Sequence, residues 1–174
     1  MKESFLLSSD ALPHLRLRTI DASDCELLRQ WKNANRTSFF FQGVIDPDGQ
    51  RRWYEDYRDR PQDFMFMVEA GGERAGCLGF RSFEGTLDVY NVIRGDVRGG
   101  APGLMSAALR LLCSYGRASF PSPVVARVLK TNPAVPWYEK NGFGIAADHE
   151  TYYLMRLDEA RFTPLPFSRA EISA

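Results

Sequence analysis

The chain has no surplus of either charge: 22 Lys and Arg stand against 22 Asp and Glu. That balance argues against wholesale binding to nucleic acid, where a phosphate backbone is met by excess basic side chains. Cysteine is scarce and odd in number. Cys25, Cys77 and Cys113 lie far apart, each inside an apolar pattern, so a disulfide framework or a zinc site is not expected and the three read as small core hydrophobes of a reducing compartment. No segment approaches the roughly 20 apolar residues of a membrane span, and the Phe5-Leu6-Leu7 run is too short for a signal sequence. A cytoplasmic protein with no membrane partner and no metal is expected. There is also no internal repeat and no low-complexity tract.

What is present is an ordinary globular composition, 44% hydrophobic and 25% charged, over 174 residues. That length suits one domain with a substantial core and is short for two. We read 1–174 as a single domain with its core at about 14–158 and a tail at 159–174, where Pro164 and Pro166 interrupt any period and a mobile or surface-bound segment is expected.

Alternation over His14–Ile20 predicts a strand, and Asp21 then caps a helix whose apolar stripe is Ala22, Cys25, Leu28 and Trp31. Phe39, Phe40 and Phe41 follow in an irregular segment, where packing in the core is favoured over lining a pocket. Asp46-Pro47-Asp48-Gly49 reads as a turn before a short helix with Trp53, Tyr54 and Tyr57. Phe64–Ala70, Ala75–Phe83 and Thr86–Ile93 read as a meander joined by Gly71-Gly72 and Glu84-Gly85. The period then changes to helical from about Pro102 to Arg117, followed by a strand Val124–Leu129, a helix Pro133–Lys140 ended by Asn141-Gly142, and two closing strands.

Between the third meander strand and the next helix lies Arg94-Gly95-Asp96-Val97-Arg98-Gly99-Gly100-Ala101-Pro102-Gly103. Four glycines in ten residues, placed between a strand and a helix, let the backbone aim amides at an anion on the positive end of the helix dipole. It is neither a Gly-Lys-Ser/Thr loop nor a Gly-x-Gly-x-x-Gly turn, so nucleoside triphosphates and dinucleotides are not its expected ligands.

Arg98 to Gly103 resembles motif A of the GNAT acyltransferases, whose amides hold the pyrophosphate of coenzyme A. Asn132-Pro133-Ala134-Val135-Pro136-Trp137-Tyr138-Glu139-Lys140-Asn141-Gly142-Phe143 resembles motif B of the same family. The resemblance implies an α/β GNAT fold: a mixed, largely antiparallel sheet of six or seven strands flanked by about four helices. It implies acetyl-CoA as co-substrate, held by Arg98, Gly99, Gly100, Ala101, Gly103 and Leu104, with Val92 and Ile93 offering backbone groups to the pantetheine arm and Asn132 and Trp137 beside it. It also implies that Tyr138 protonates the departing thiolate. Ala101 stands where the family has its first glycine, and Pro102 removes one amide.

The expected reaction is direct attack of a primary amine on the thioester in a ternary complex. Asp88, from its place on the strand before the loop, is the first candidate for the base, Glu84 the second and His149 a distant third. Trp31, Asn33 and Trp53 resemble, at low specificity, the enzymes that acetylate amino sugars on nucleotide carriers, with ribosomal-protein N-terminal acetylases next. The acceptor is therefore expected to be a small-molecule or peptide amine, and a homodimer is left open. The rival reading is a non-catalytic GNAT-fold sensor or interaction module that binds coenzyme A.

Overall fold

The computed structural model describes residues 2–95 and 102–173. Among the described residues nine strands form one sheet in the order β7-β8-β6-β5-β4-β3-β2-β1-β9. In chain order they are β1 (Phe5–Ser8), β2 (Leu15–Thr19), β3 (Asp63–Ala70), β4 (Glu73–Phe83), β5 (Thr86–Arg94), β6 (Val124–Leu129), β7 (Phe143–Asp148), β8 (Tyr152–Leu157) and β9 (Ser168–Glu171). The helices are α1 (Cys25–Ala34), α2 (Pro47–Arg58), α3 (Leu104–Ser119) and α4 (Val135–Lys140). Only β5 and β6 pair in parallel among the described residues. This is the mixed, largely antiparallel architecture expected, with nine strands among the described residues rather than six or seven.

The meander forms because its turns hold residues that tolerate positive φ. Gly71 and Gly72 sit at φ 59° and 83°, and Glu84 and Gly85 at 49° and 74°, the geometry that matches strand twist in tight hairpins. Alternation along β3 then splits the core in two. Phe66 and Val68 face α3 together with Leu78, Phe80, Leu87 and Val89, while Met65 and Met67 face α1 and α2 together with Cys77 and Ile93. The buried Leu28, Trp31 and Tyr57 complete the second layer.

Asp21 caps as expected, but the segment it caps is a 3-10 turn, Ala22–Asp24, closed by a reciprocal bond in which the Asp21 amide donates to Asp24 Oδ2 before α1 begins. The stretch Asp46–Gly49 is not a free turn: Asp46 is the N-cap of α2 and accepts from the Gly49 amide at 2.6 Å, with Pro47 in the first turn. Cys77 and Cys113 are buried and unpaired, as core hydrophobes should be, and Cys25 is partly buried.

The N-terminal end departs from the expected core at 14–158, and the tail takes the surface-bound one of its two expected states. Phe5 and Leu7 are fully buried in β1, which pairs with β2 and with β9. The segment after 158 is docked: Leu165 is buried, its amide donates to Ser114 Oγ at 2.9 Å, and Phe167 meets Tyr115 edge-on at 5.7 Å between ring centroids. The proline-containing segment runs along α3 without regular secondary structure, tied by Arg110 to the Thr163 carbonyl and by the Leu165 amide to Ser114, and such contacts leave no period in the sequence.

Candidate active site

Parallel pairing of β5 and β6 runs only through Leu87↔Val124, Asp88↔Val125 and Val89↔Ala126. Beyond Val89 the strands separate, because β6 continues along β8 to Leu129 while β5 stays with β4. The separation is helped by a bulge. Gly79 pairs with Tyr90 and Cys77 with Ile93, so β5 carries one residue more than β4 over that interval. Asn91 supplies it at φ 49°, a conformation that Asn tolerates better than most residues.

The gap opens a cleft of about 1460 Å³ through the sheet, larger than the few hundred to 1,000 Å³ of a typical single-ligand pocket. Its wall on the α3 side includes Val92, Gly103, Leu104, Ser106, Asn132, Trp137 and Tyr138; on the α1–α2 side it includes Lys32, Phe39, Arg81, Asp88, Ile93 and Arg127. Gly103 is the N-cap of α3 at φ 80°, with no side chain capping the first turn. The first amides of a 16-residue helix therefore face the cleft. With the unpaired edge of β5 beside them, these features fit a long ligand that ends in phosphates and lies like an added strand.

Sequence-expected residues converge here. Asp88, Glu84, Val92, Ile93, Gly103, Leu104, Asn132, Trp137 and Tyr138 all line the cleft. Arg98, Gly99, Gly100 and Ala101 lie outside the described residues. His149 stands apart, exposed on the β7–β8 turn and stacked on Tyr152 at 4.5 Å.

Tyr138 is buried between Trp137 and Phe143, with ring centroids at 5.0 and 5.5 Å. Its hydroxyl bonds to no described residue, and burial raises its pKa, with smaller contributions from Cys113 and Asp88. The phenol thus keeps its proton. Asn132 is spent locally: its Oδ1 accepts from the Ala134 amide at 2.8 Å and its Nδ2 donates to the Ser38 carbonyl at 3.3 Å. It ties α4 to the segment after α1. Trp137 is oriented by a 3.0 Å bond from its indole to Ser106 Oγ.

Asp88 is 2% exposed and accepts from Arg127 at 2.9 Å and from Arg81 at 3.2 Å. Burial raises its pKa, and the two guanidiniums oppose that shift. Glu84 is exposed at the hairpin and lies 3.6 Å from Arg127.

Lys32, Arg81, Arg127 and the Asn91 bulge were not singled out by sequence. A basic residue on a strand or helix face reads as solvated surface, and only Asn91, a poor strand former inside a strand, carried a local signal. Packing in the core proves wrong for two of the three phenylalanines: Phe40 and Phe41 are 57% and 63% exposed at the cleft, and Phe40 meets Tyr152 edge-on at 5.3 Å. They follow a 3-10 turn outside both core layers, so burial was not available to them.

Among solved structures the chain is similar to FdhC, described as a nucleotide-linked sugar GNAT, with TM-score 0.71 and 14% identity over 85% of this chain and 88% of that one. It is similar to RimL, a ribosomal L7/L12 alpha-N-protein acetyltransferase in complex with coenzyme A, with TM-score 0.64 and 19% identity over 91% and 94%. It is also similar to the Vibrio cholerae spermidine N-acetyltransferase in complex with CoA and spermine, with TM-score 0.66 and 18% identity over 83% and 93%. No curated protein sequence matches. Identities this low establish the fold, and the three relatives differ in acceptor, so the fold does not choose one. The model of the acetyltransferase (GNAT) domain matches residues 14–144, and the chain belongs to that family.

Proposed function

We propose that this protein transfers an acetyl group from acetyl-CoA to a primary amine by direct attack in a ternary complex. The observation that carries the reading is the cleft between β5 and β6, which joins a helix N-terminus on one face of the sheet to a charged, aromatic chamber on the other. Acetyl-CoA supplies the activated thioester. Val92 and Ile93 on the free β5 edge, Gly103 and Leu104 at the start of α3, and Trp137 hold the co-substrate, together with Arg98, Gly99, Gly100 and Ala101 of the preceding loop. Backbone amides beside the bulge polarise the thioester carbonyl.

Tyr138 donates its proton to the departing thiolate. Its raised pKa keeps the phenol protonated at neutral pH. Asp88 accepts the proton lost by the amine. Burial makes it a stronger base than an exposed Asp, and each carboxylate oxygen keeps a second lone pair beside its guanidinium partner. Glu84 sits farther out and relays to solvent.

Thermal unfolding with and without excess acetyl-CoA tests the reading. At about a hundred times the dissociation constant a ligand adds roughly 2.7 kcal/mol to the folded state, so the midpoint should rise by several degrees. A cooperative transition that does not move would sink the assignment and leave no role for the cleft in binding coenzyme A.

A further inference from the structure

The α1–α2 side of the cleft carries more positive charge than its own carboxylates neutralise. Arg81 uses only its Nε on Asp88, and its side chain remains 40% exposed toward the chamber while its guanidinium stacks 4.6 Å from the Tyr90 ring. Arg127 is committed to Asp88 and Glu84. Lys32 enters from α1. Among the described residues its ammonium is held by Asn91 Oδ1 and by the Phe39 ring, 3.4 Å from the centroid, and by no carboxylate. Burial and the charge of Arg81 hold its pKa down to about 8, with Cys77 opposing. Two cations close enough to repel, one of them with a nearly unused guanidinium fork, mark a place for an anion.

We propose that the acceptor amine belongs to a molecule that also carries an oxyanion, and that Lys32 and Arg81 hold that oxyanion on the α1–α2 side of the cleft. The proposal rests on the acetyl-transfer reading above and adds the substrate class. The planar guanidinium takes a phosphate or carboxylate through its two free nitrogens, and the ammonium supplies the second charge. The bonds of Arg81 and Arg127 to Asp88 place the anion one side chain away from the group that accepts the amine proton. Phe40, Phe41 and Phe83, exposed at the cleft, offer faces for the rest of the molecule. A polyamine meets the opposite condition: every added ammonium faces Lys32, Arg81 and Arg127, and like charges at close range disfavour it.

The test uses protein saturated with coenzyme A, so that the phosphate-binding end of the cleft is already filled. Calorimetric titration with inorganic pyrophosphate in one arm and succinate in another reads the second site, and the tighter arm tells phosphate from carboxylate. The expected result is saturable binding, weakened about tenfold or more in Lys32→Gln and in Arg81→Gln. Binding of succinate near pH 8, where its carboxylates are fully ionised, should take up a proton, because an anion beside Lys32 favours its charged form, and Lys32→Gln should abolish that uptake. Spermine should not bind. Absence of binding by both anions, or equal binding by wild type and Lys32→Gln, overturns the proposal while leaving acetyl transfer standing. Failure of coenzyme A itself to bind overturns the transfer reading instead.

Discussion

Replacing Lys32 by Gln removes a charge that the fold keeps poorly solvated, so the variant should be more stable than the wild type. Burial is the main reason its pKa falls from 10.5 to about 8. At about 1.4 kcal/mol for each pH unit, that fall corresponds to roughly 3 kcal/mol of penalty on the charged amine. The Phe39 face, 3.4 Å away, returns about 1–2 kcal/mol, while the bond to Asn91 Oδ1 largely drops out of the comparison because a Gln amide also offers a donor. Burial wins, and Lys32→Gln is expected to gain about 1–2 kcal/mol near neutral pH. The sign across pH follows from linkage. Below about 8 both folded and unfolded wild type hold the proton, and the penalty is complete. Between about 8 and 10.5 the unfolded chain binds the proton and the folded chain releases it, so the Lys32 contribution to stability rises with pH and the advantage of Gln shrinks. Cys77 and Cys113 work the other way: burial pushes both up to about 12, so the folded chain keeps protons that the unfolded chain loses at lower pH. Lys2, lowered to about 8, adds a slope of the same sign as Lys32. These terms are common to both proteins and largely cancel in their difference. Urea unfolding of the two, followed at about pH 7, 8.5 and 10, measures that difference. A Gln variant less stable than wild type near neutral pH, or a difference that stays constant up to pH 10, would refute the reasoning.

Three further outcomes are expected. Tyr138→Phe should lower turnover roughly a hundredfold or more with little change in acetyl-CoA affinity, and unchanged turnover in a steady-state assay would remove its role as acid. Leu165→Ala should lose about 2–4 kcal/mol in denaturant unfolding, because the side chain is buried although it lies in the proline-interrupted tail; a loss below about 0.5 kcal/mol would mean that the tail is not docked. Gly95→Ala should cost about 1–3 kcal/mol, since the added Cβ would overlap the Trp31 indole and the Ala75 carbonyl. A variant as stable as wild type would show that Trp31 can shift.

The sequence by itself determined the elements whose residues state their own conformation. The meander was legible because Gly71-Gly72 and Glu84-Gly85 interrupt alternating strands. The helices α1 and α3 were legible from apolar spacing, and Asn141 with Gly142 at φ 93° ended α4 where expected. Tyr138 and Trp137 were placed in the cleft from a motif whose residues are neighbours in the chain. Tertiary structure decided the rest. The strands β1 and β9 are four residues each, too short for a period, and are defined by pairing with one another across the whole length of the chain. The exposure of Phe40 and Phe41 depends on their segment lying outside both core layers. The charge of the chamber depends on bringing together Lys32 from α1, Arg81 from β4, Asp88 from β5 and Arg127 from β6. Local patterns encode the conformation of a segment, but which cations share a carboxylate is fixed only by strand register. Here Arg81 faces Asp88 across one ladder, and Asp88 faces Val125, two residues from Arg127, across the next.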